Sequence, residues 1–128
     1  MKLIDTVVLI GYLNPRDREH KRSLYHLDRV ASEGEMMVPV TSLIEADLVM
    51  KARGYSDAER EISWRALESM IPLDKVVCNS VSSIRSAVEL QRMGMDYFDS
   101  LISALAQESG SSVITTDASI KDVVQTTW

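Results

Sequence analysis

Four carboxylates, Asp5, Glu45, Asp99 and Asp117, are the side chains in this sequence best suited to chemistry. They are spread along the chain, so only a fold can gather them. Gathered in one crevice they repel one another and raise their own pKa values, and a fold has little structural reason to collect them. A hard divalent cation reverses that penalty, because Mg²⁺ and Mn²⁺ prefer carboxylate oxygen and water. Two such ions suit phosphodiester hydrolysis, one activating the attacking water and the other steadying the leaving oxygen. The chain has only two histidines, His20 and His26, and no good nucleophile–base pair. Both histidines fall on a helix expected to be exposed, so they are read as surface residues.

Simpler uses exist for three of the four acids. Asp5 and Asp117 precede short helices and suit N-caps, and Asp99 suits the first turn of a helix. Glu45 is harder to explain that way. Its helical neighbours are Leu48, Val49 and Ala52, and no Lys or Arg stands three or four positions away. A lone carboxylate in such surroundings costs several kcal/mol unless something neutralises it.

The elements that must position these acids follow from the pattern. Five short apolar or β-branched segments read as strands: Lys2–Ile4, Met36–Val40, Val76–Cys78, Val113–Thr115 and Val123–Thr126. Helical patterns lie between them. Thr6–Leu13 is short and apolar, and Arg18–Glu33 carries Leu24, Leu27, Val30 and Ala31 at helical spacing. Thr41–Arg53 is apolar on several faces and is expected to be largely buried. Asp57 is placed to cap a helix through Met70. Ser80 or Ser82 starts another to Arg92, and Gly110 is placed to end Tyr97–Ser109. Strands alternating with helices imply a parallel sheet covered on both faces. Ligands bind such sheets beyond the carboxyl ends of the strands. Asp5 follows the first strand, Asp117 lies just past the fourth, and Glu45 sits one turn into the helix after the second. Asp99 lies at the edge of the Phe98, Leu101, Ile102 and Leu105 stripe.

Composition narrows the classes. A chain of 128 residues, 45% hydrophobic, fits a single domain over residues 1–128 with one core. The formal net charge of −5 argues against a protein that mainly coats nucleic acid, yet it allows a nuclease with clustered, metal-bound carboxylates. A local basic group, Arg16, Arg18, His20, Lys21 and Arg22, reads first as a solvated helix face. The single cysteine, Cys78, is expected to be a buried thiol, in keeping with a reducing compartment. No segment approaches the roughly 18 apolar residues that span a bilayer, and no secretory leader is visible. The expectation is a cytoplasmic protein without a membrane partner. There is no glycine-rich phosphate loop. Nor is there the adjacent acid pair and central acceptor aspartate of a phospho-acceptor receiver domain.

Four segments together resemble a known family. Leu3–Leu13, LIDTVVLIGYL, is similar to the opening of PIN-domain nucleases. Val38–Ala46, VPVTSLIEA, resembles their second acidic segment, and Met95–Ala106, MDYFDSLISALA, their third. Val113–Val123, VITTDASIKDV, resembles their last acidic segment, with Thr115 at a position that supports the metal-site acids. The resemblance covers essentially the whole chain. It implies a three-layer, Rossmann-like α/β fold with a five-stranded parallel sheet in the order 3-2-1-4-5. It also implies Mg²⁺- or Mn²⁺-dependent cleavage of single-stranded RNA, with Asp5, Glu45, Asp99 and Asp117 as catalytic, metal-holding residues. Many single-domain members are toxins of the VapBC type, which implies an antitoxin partner and a homodimer. Two positions depart mildly from the family pattern, Val7 for a frequent Ser or Asn and Ile120 for a frequent Phe. Asp96, three residues before Asp99, is either an auxiliary acid or a helix cap. Asp47 and Asp122 read as surface or capping residues. The alternative keeps the fold but not the chemistry, as a catalytically idle module that binds RNA or protein; the intact set of four acids weighs against it.

Overall fold

The computed structural model describes residues 1–128. Strand β1 (Lys2–Ile4) leads into α1 (Thr6–Leu13) and α2 (His20–Ser32). Strand β2 (Met36–Pro39) is followed by α3 (Val40–Ala52) and α4 (Asp57–Met70). A 3-10 turn at Leu73–Lys75 precedes β3 (Val76–Val77), and α5 (Val81–Arg92) packs against α6 (Tyr97–Ser109). Strand β4 (Ser112–Ile114), a short α7 (Ala118–Lys121) and β5 (Thr126–Thr127) complete the chain. The sheet is all-parallel with strand order β3-β2-β1-β4-β5, as expected.

Alternation along these short strands divides the core. Leu3, Met37, Val77 and Val113 turn to one face, where Ile102, Leu105, Ala106 and Ile120 meet them from α6 and α7. Ile4, Met36, Val38 and Ile114 turn to the other, against Val8, Leu9, Leu27, Val30, Ala46 and Met50 from α1, α2 and α3. Parallel strands covered on both faces have few polar positions to spare, which is why these segments read as continuous apolar runs. A third cluster, Ala87, Leu90, Leu101 and Ala104, joins α5 to α6.

Several expected boundaries shift for local reasons. The cap of α4 is Ser56 rather than Asp57. The Ser56 hydroxyl accepts from the Glu59 N–H at 3.1 Å, and the Glu59 carboxylate accepts from the Ser56 N–H at 3.0 Å, a complete capping box. Helix α2 begins at His20 rather than Arg18, because the Asp17 carboxylate accepts the Glu19 N–H at 2.8 Å and folds Asp17–Glu19 into a turn. Ser80 caps α5, and Gly110 ends α6 at φ 65°, a left-handed conformation that favours glycine. The last strand is Thr126–Thr127 rather than Val123–Thr126, because the N–H groups of Val123 and Val124 both donate to the Ile120 carbonyl and prolong the turn after α7.

Three burial expectations are also corrected. Helix α3 buries only Ser42, Ala46 and Met50, and leaves Ile44 and Leu48 about half exposed. Cys78 is exposed, because the edge strand β3 ends before it. His26 is buried and stacks on Trp128 at 4.9 Å between ring centroids. Burial first, then Arg22, Arg29 and Lys2, lower its pKa. His20 is half-buried, with Nδ1 2.7 Å from the Gly11 carbonyl.

Candidate active site

The carboxyl ends of β1 and β4 adjoin at the centre of the sheet, where Lys2, Leu3 and Ile4 pair with Ser112, Val113 and Ile114. The residues just beyond them are therefore neighbours. Asp5 leaves β1 with its N–H donating to the Ile114 carbonyl at 3.2 Å, and one carboxylate oxygen accepts from the Thr6 N–H at 2.7 Å. Its other oxygen accepts from the Thr115 hydroxyl at 2.6 Å. The same Thr115 oxygen accepts from the Asp117 N–H at 2.9 Å. One fully buried threonine thus ties the ends of two strands together.

Asp117 caps α7, accepting from the Ser119 N–H at 2.8 Å and the Ser119 hydroxyl at 2.7 Å. The Ser119 oxygen also lies 3.5 Å from Asp99, which the first turn of α6 delivers to the same place. Glu45 comes from α3, beside the Thr6 hydroxyl; that hydroxyl is also within 3.2 Å of the Ser42 carbonyl. Asp96 stands at the N-cap of α6 without a side-chain capping bond. Asp5, Glu45, Asp96, Asp99 and Asp117 all line one open cavity of about 430 Å³. Asp47 does not join them; it pairs with Arg60 at 2.9 Å and accepts from the Trp64 indole N–H at 2.8 Å.

The electrostatics carry the marks of crowding. Burial pushes Asp5 up to about 6, and Glu45 and Asp117 add to the rise against the opposing bonds from Thr115 and Thr6. Burial, then the charge of Asp117, push Asp99 up to about 7. Burial also raises Glu45, only partly offset by Thr6, with Asp117 and Asp96 adding to the rise. Burial acts upward on Asp117 too, but bonds from Ser119 and Asp99 hold it below the usual carboxylate range. The Asp99–Asp117 pair therefore holds a shared proton up towards neutrality.

An all-oxygen donor set of this kind fits a hard cation. No three carboxylates, histidines or cysteines are gathered tightly enough to enclose an ion by themselves, and Mg²⁺ in particular keeps several waters beside one or two carboxylates. The surroundings expected for Glu45 need correction. Val49 lines the cavity with it, but Leu48 and Ala52 are exposed, and the carboxylate is only half-buried among other acids. Sequence reasoning missed Ser119, whose one signal was its position two residues after an aspartate, the spacing of an Asx turn. It also missed Arg53 and Trp128 on the cavity wall, which no local pattern marks.

A Thr115→Val substitution keeps the shape and removes both hydrogen bonds. Divalent-metal affinity, read by calorimetry, is expected to fall about 10- to 100-fold, as for other groups that orient a metal ligand. Unchanged affinity would show that Asp5 needs no such support.

Comparison with solved structures places this architecture among known folds. The chain is similar to FitAcB from Neisseria gonorrhoeae, with a TM-score of 0.76 and 19% identity over 98% of this chain and 96% of that one. It is similar to a chain of VapBC2 from Rickettsia felis bound to a promoter DNA fragment, with a TM-score of 0.75 and 13% identity over 99% and 98% of the two chains. It is also similar to Mycobacterium tuberculosis VapC20, a sarcin-ricin loop cleaving toxin, with a TM-score of 0.71 and 14% identity over 95% and 94%. At these identities the likeness concerns the fold. No match was found among curated protein sequences. The PIN domain family model matches residues 2–125, nearly the whole length, and the chain belongs to the PIN domain family.

Proposed function

We propose that this protein is a divalent-metal-dependent endoribonuclease that hydrolyses phosphodiester bonds in single-stranded RNA, acting as the toxin of a toxin–antitoxin pair. The observation that carries the reading is the cavity in which Asp5, Glu45, Asp99 and Asp117 crowd together with Asp96, three of them with raised pKa values. A solvated surface has no use for such a cluster, whereas Mg²⁺ or Mn²⁺ compensates it. When bound, the metal supplies a nucleophilic water and charge stabilisation at the phosphoryl group. Asp5, Glu45, Asp99 and Asp117 would hold it directly or through water, with Asp96 as an auxiliary acid. Thr115 fixes the angle of Asp5, and Ser119 keeps Asp117 pointed at Asp99. The proton shared by Asp99 and Asp117 must leave before the pair can serve a cation fully.

Residues 1–128 act in this reading as one domain. The antitoxin partner draws support from the structural neighbours, which include a VapBC2 complex and a cleaving toxin. A homodimer would bury apolar surface of the kind left open at Ile44 and Leu48 on α3 and at Val81, Ile84 and Val88 on α5. No helix is long and apolar enough to cross a membrane, in keeping with a cytoplasmic site of action.

The test uses the purified chain alone. Mn²⁺ is expected to bind with measurable heat and to support cleavage of a fluorogenic single-stranded oligoribonucleotide, and EDTA to stop it. Neither heat nor cleavage would leave a catalytically idle binding module. Equal cleavage of the matching DNA strand would remove the assignment to RNA.

A further inference from the structure

Two cations, Arg18 and Arg53, share the cavity wall with seven acidic side chains. Neither is committed to the metal-site carboxylates. Arg18 approaches only Glu19, at 3.8 Å, with its side chain 93% exposed. The remaining ion pairs engage Lys2, Arg29, Arg60, Arg65 and Arg92, which leaves Arg53 with none. No ion pair joins either arginine to Asp5, Glu45, Asp96, Asp99 or Asp117. These two stay clear of the metal-site acids while facing the same space, the arrangement needed to receive an anion that is itself held beside those acids.

Arg53 closes α3, eight residues after Glu45. Helix geometry sets it about 12 Å farther along the axis and about 80° around it. Glu45 and Arg53 are therefore fixed to one rigid element, one at the acid cluster and one beyond it. We infer that Arg53, assisted by Arg18, grips a backbone phosphate of the substrate next to the one being cut. This rests on the nuclease reading above and adds the residues that hold the strand. Guanidinium suits the task, since its planar fork matches two phosphate oxygens. A competing role for Arg53 is complementing the dipole at the end of α3. That role would touch stability alone and leave salt dependence and KM unmoved.

The test is Mn²⁺-dependent cleavage of a single-stranded oligoribonucleotide at several NaCl concentrations, with kcat and KM separated. Arg53→Met is expected to raise KM about ten-fold, with kcat within about two-fold and an unchanged melting temperature. The slope of log kcat/KM against log salt should become shallower by about 0.7, the loss of one single-strand phosphate contact. Arg53→Lys should recover the slope, and Arg65→Met, which removes an exposed pair with Glu61 outside the cavity, should match wild type. Active wild type with KM and slope unaltered in Arg53→Met overturns the inference alone, as does a fall in kcat at constant KM. A wild-type chain that does not cleave overturns the nuclease reading and this inference with it.

Discussion

An Asp99→Asn variant is expected to lose Mn²⁺-dependent RNA cleavage by about a thousand-fold or more, while folding at least as well as the wild type. Asp99 is the carboxylate with the strongest environmental push in the cavity, up to about 7, caused by burial first and Asp117 next. Asparagine has the same outline but neither the charge nor the second acceptor oxygen that a cation needs. A few kcal/mol of metal-borne stabilisation lost at the reacting phosphate corresponds to several powers of ten in rate. The structural cost runs the other way. The wild-type chain without metal carries an anion beside Asp117 at pH 8, and asparagine removes that repulsion. Because the Asp99 side chain is only about half-buried, solvent screening trims the gain to about 1 kcal/mol, a few degrees in melting temperature. Full activity in this variant would end the catalytic role of Asp99. A variant inactive because it has unfolded would show up in the same melting curve.

The second large effect concerns pH and metal together. Metal-free protein is expected to lose stability as pH rises from about 4 to about 7, then to level off. Asp5 and Asp99 both have folded pKa values above the ordinary 3.8, at about 6 and about 7. Between the unfolded and folded values the native state holds the extra protons, so raising the pH favours the unfolded chain. Once pH exceeds the folded values both states are ionised and the slope vanishes. Asp117, held low, acts in the opposite sense and only in more acidic solution. For the deeply buried Asp5, a rise of about two pH units corresponds to about 3 kcal/mol, with a smaller, screened addition from Asp99. Saturating Mn²⁺ should reverse the trend near neutrality, because the cation binds the ionised carboxylates and binds better as their protons leave. A concentration one hundred times the dissociation constant adds about 2.7 kcal/mol. Melting curves at pH 5 and pH 8, with EDTA and with Mn²⁺, read all four corners. A flat metal-free profile would mean that these carboxylates are neither crowded nor desolvated. Asp5→Asn should remove most of that slope, leaving the smaller part from Asp99, in a chain that still folds.

Much of the local architecture could be read directly. Leu3, Ile4, Val113 and Ile114 announce buried parallel strands because few positions in them are free to be polar. Gly110 marks the end of α6 because only a residue without Cβ takes a left-handed backbone cheaply. Asp5 and Asp117 follow strand ends, and Asp99 falls in a first turn, so each could be singled out on its own element. Where reading failed, the competing force was local and polar. Ser56 displaced Asp57 as a cap by completing a reciprocal pair with Glu59, and the Ile120 carbonyl drew Val123 and Val124 out of the last strand.

Chain order alone therefore determined the elements, their alternation and the acids worth watching, because propensity, periodicity and capping act over a few residues. Tertiary structure decided that the Thr115 hydroxyl reaches Asp5 across 110 positions, that Ser119 spans Asp117 and Asp99, and that Arg53 and Trp128 share a wall with them. Those relations arise from strand pairing and helix packing between distant segments, which leave no periodic trace in the segments themselves. The raised proton affinities are of the same kind, since burial and repulsion exist only once the chain has closed around the charges.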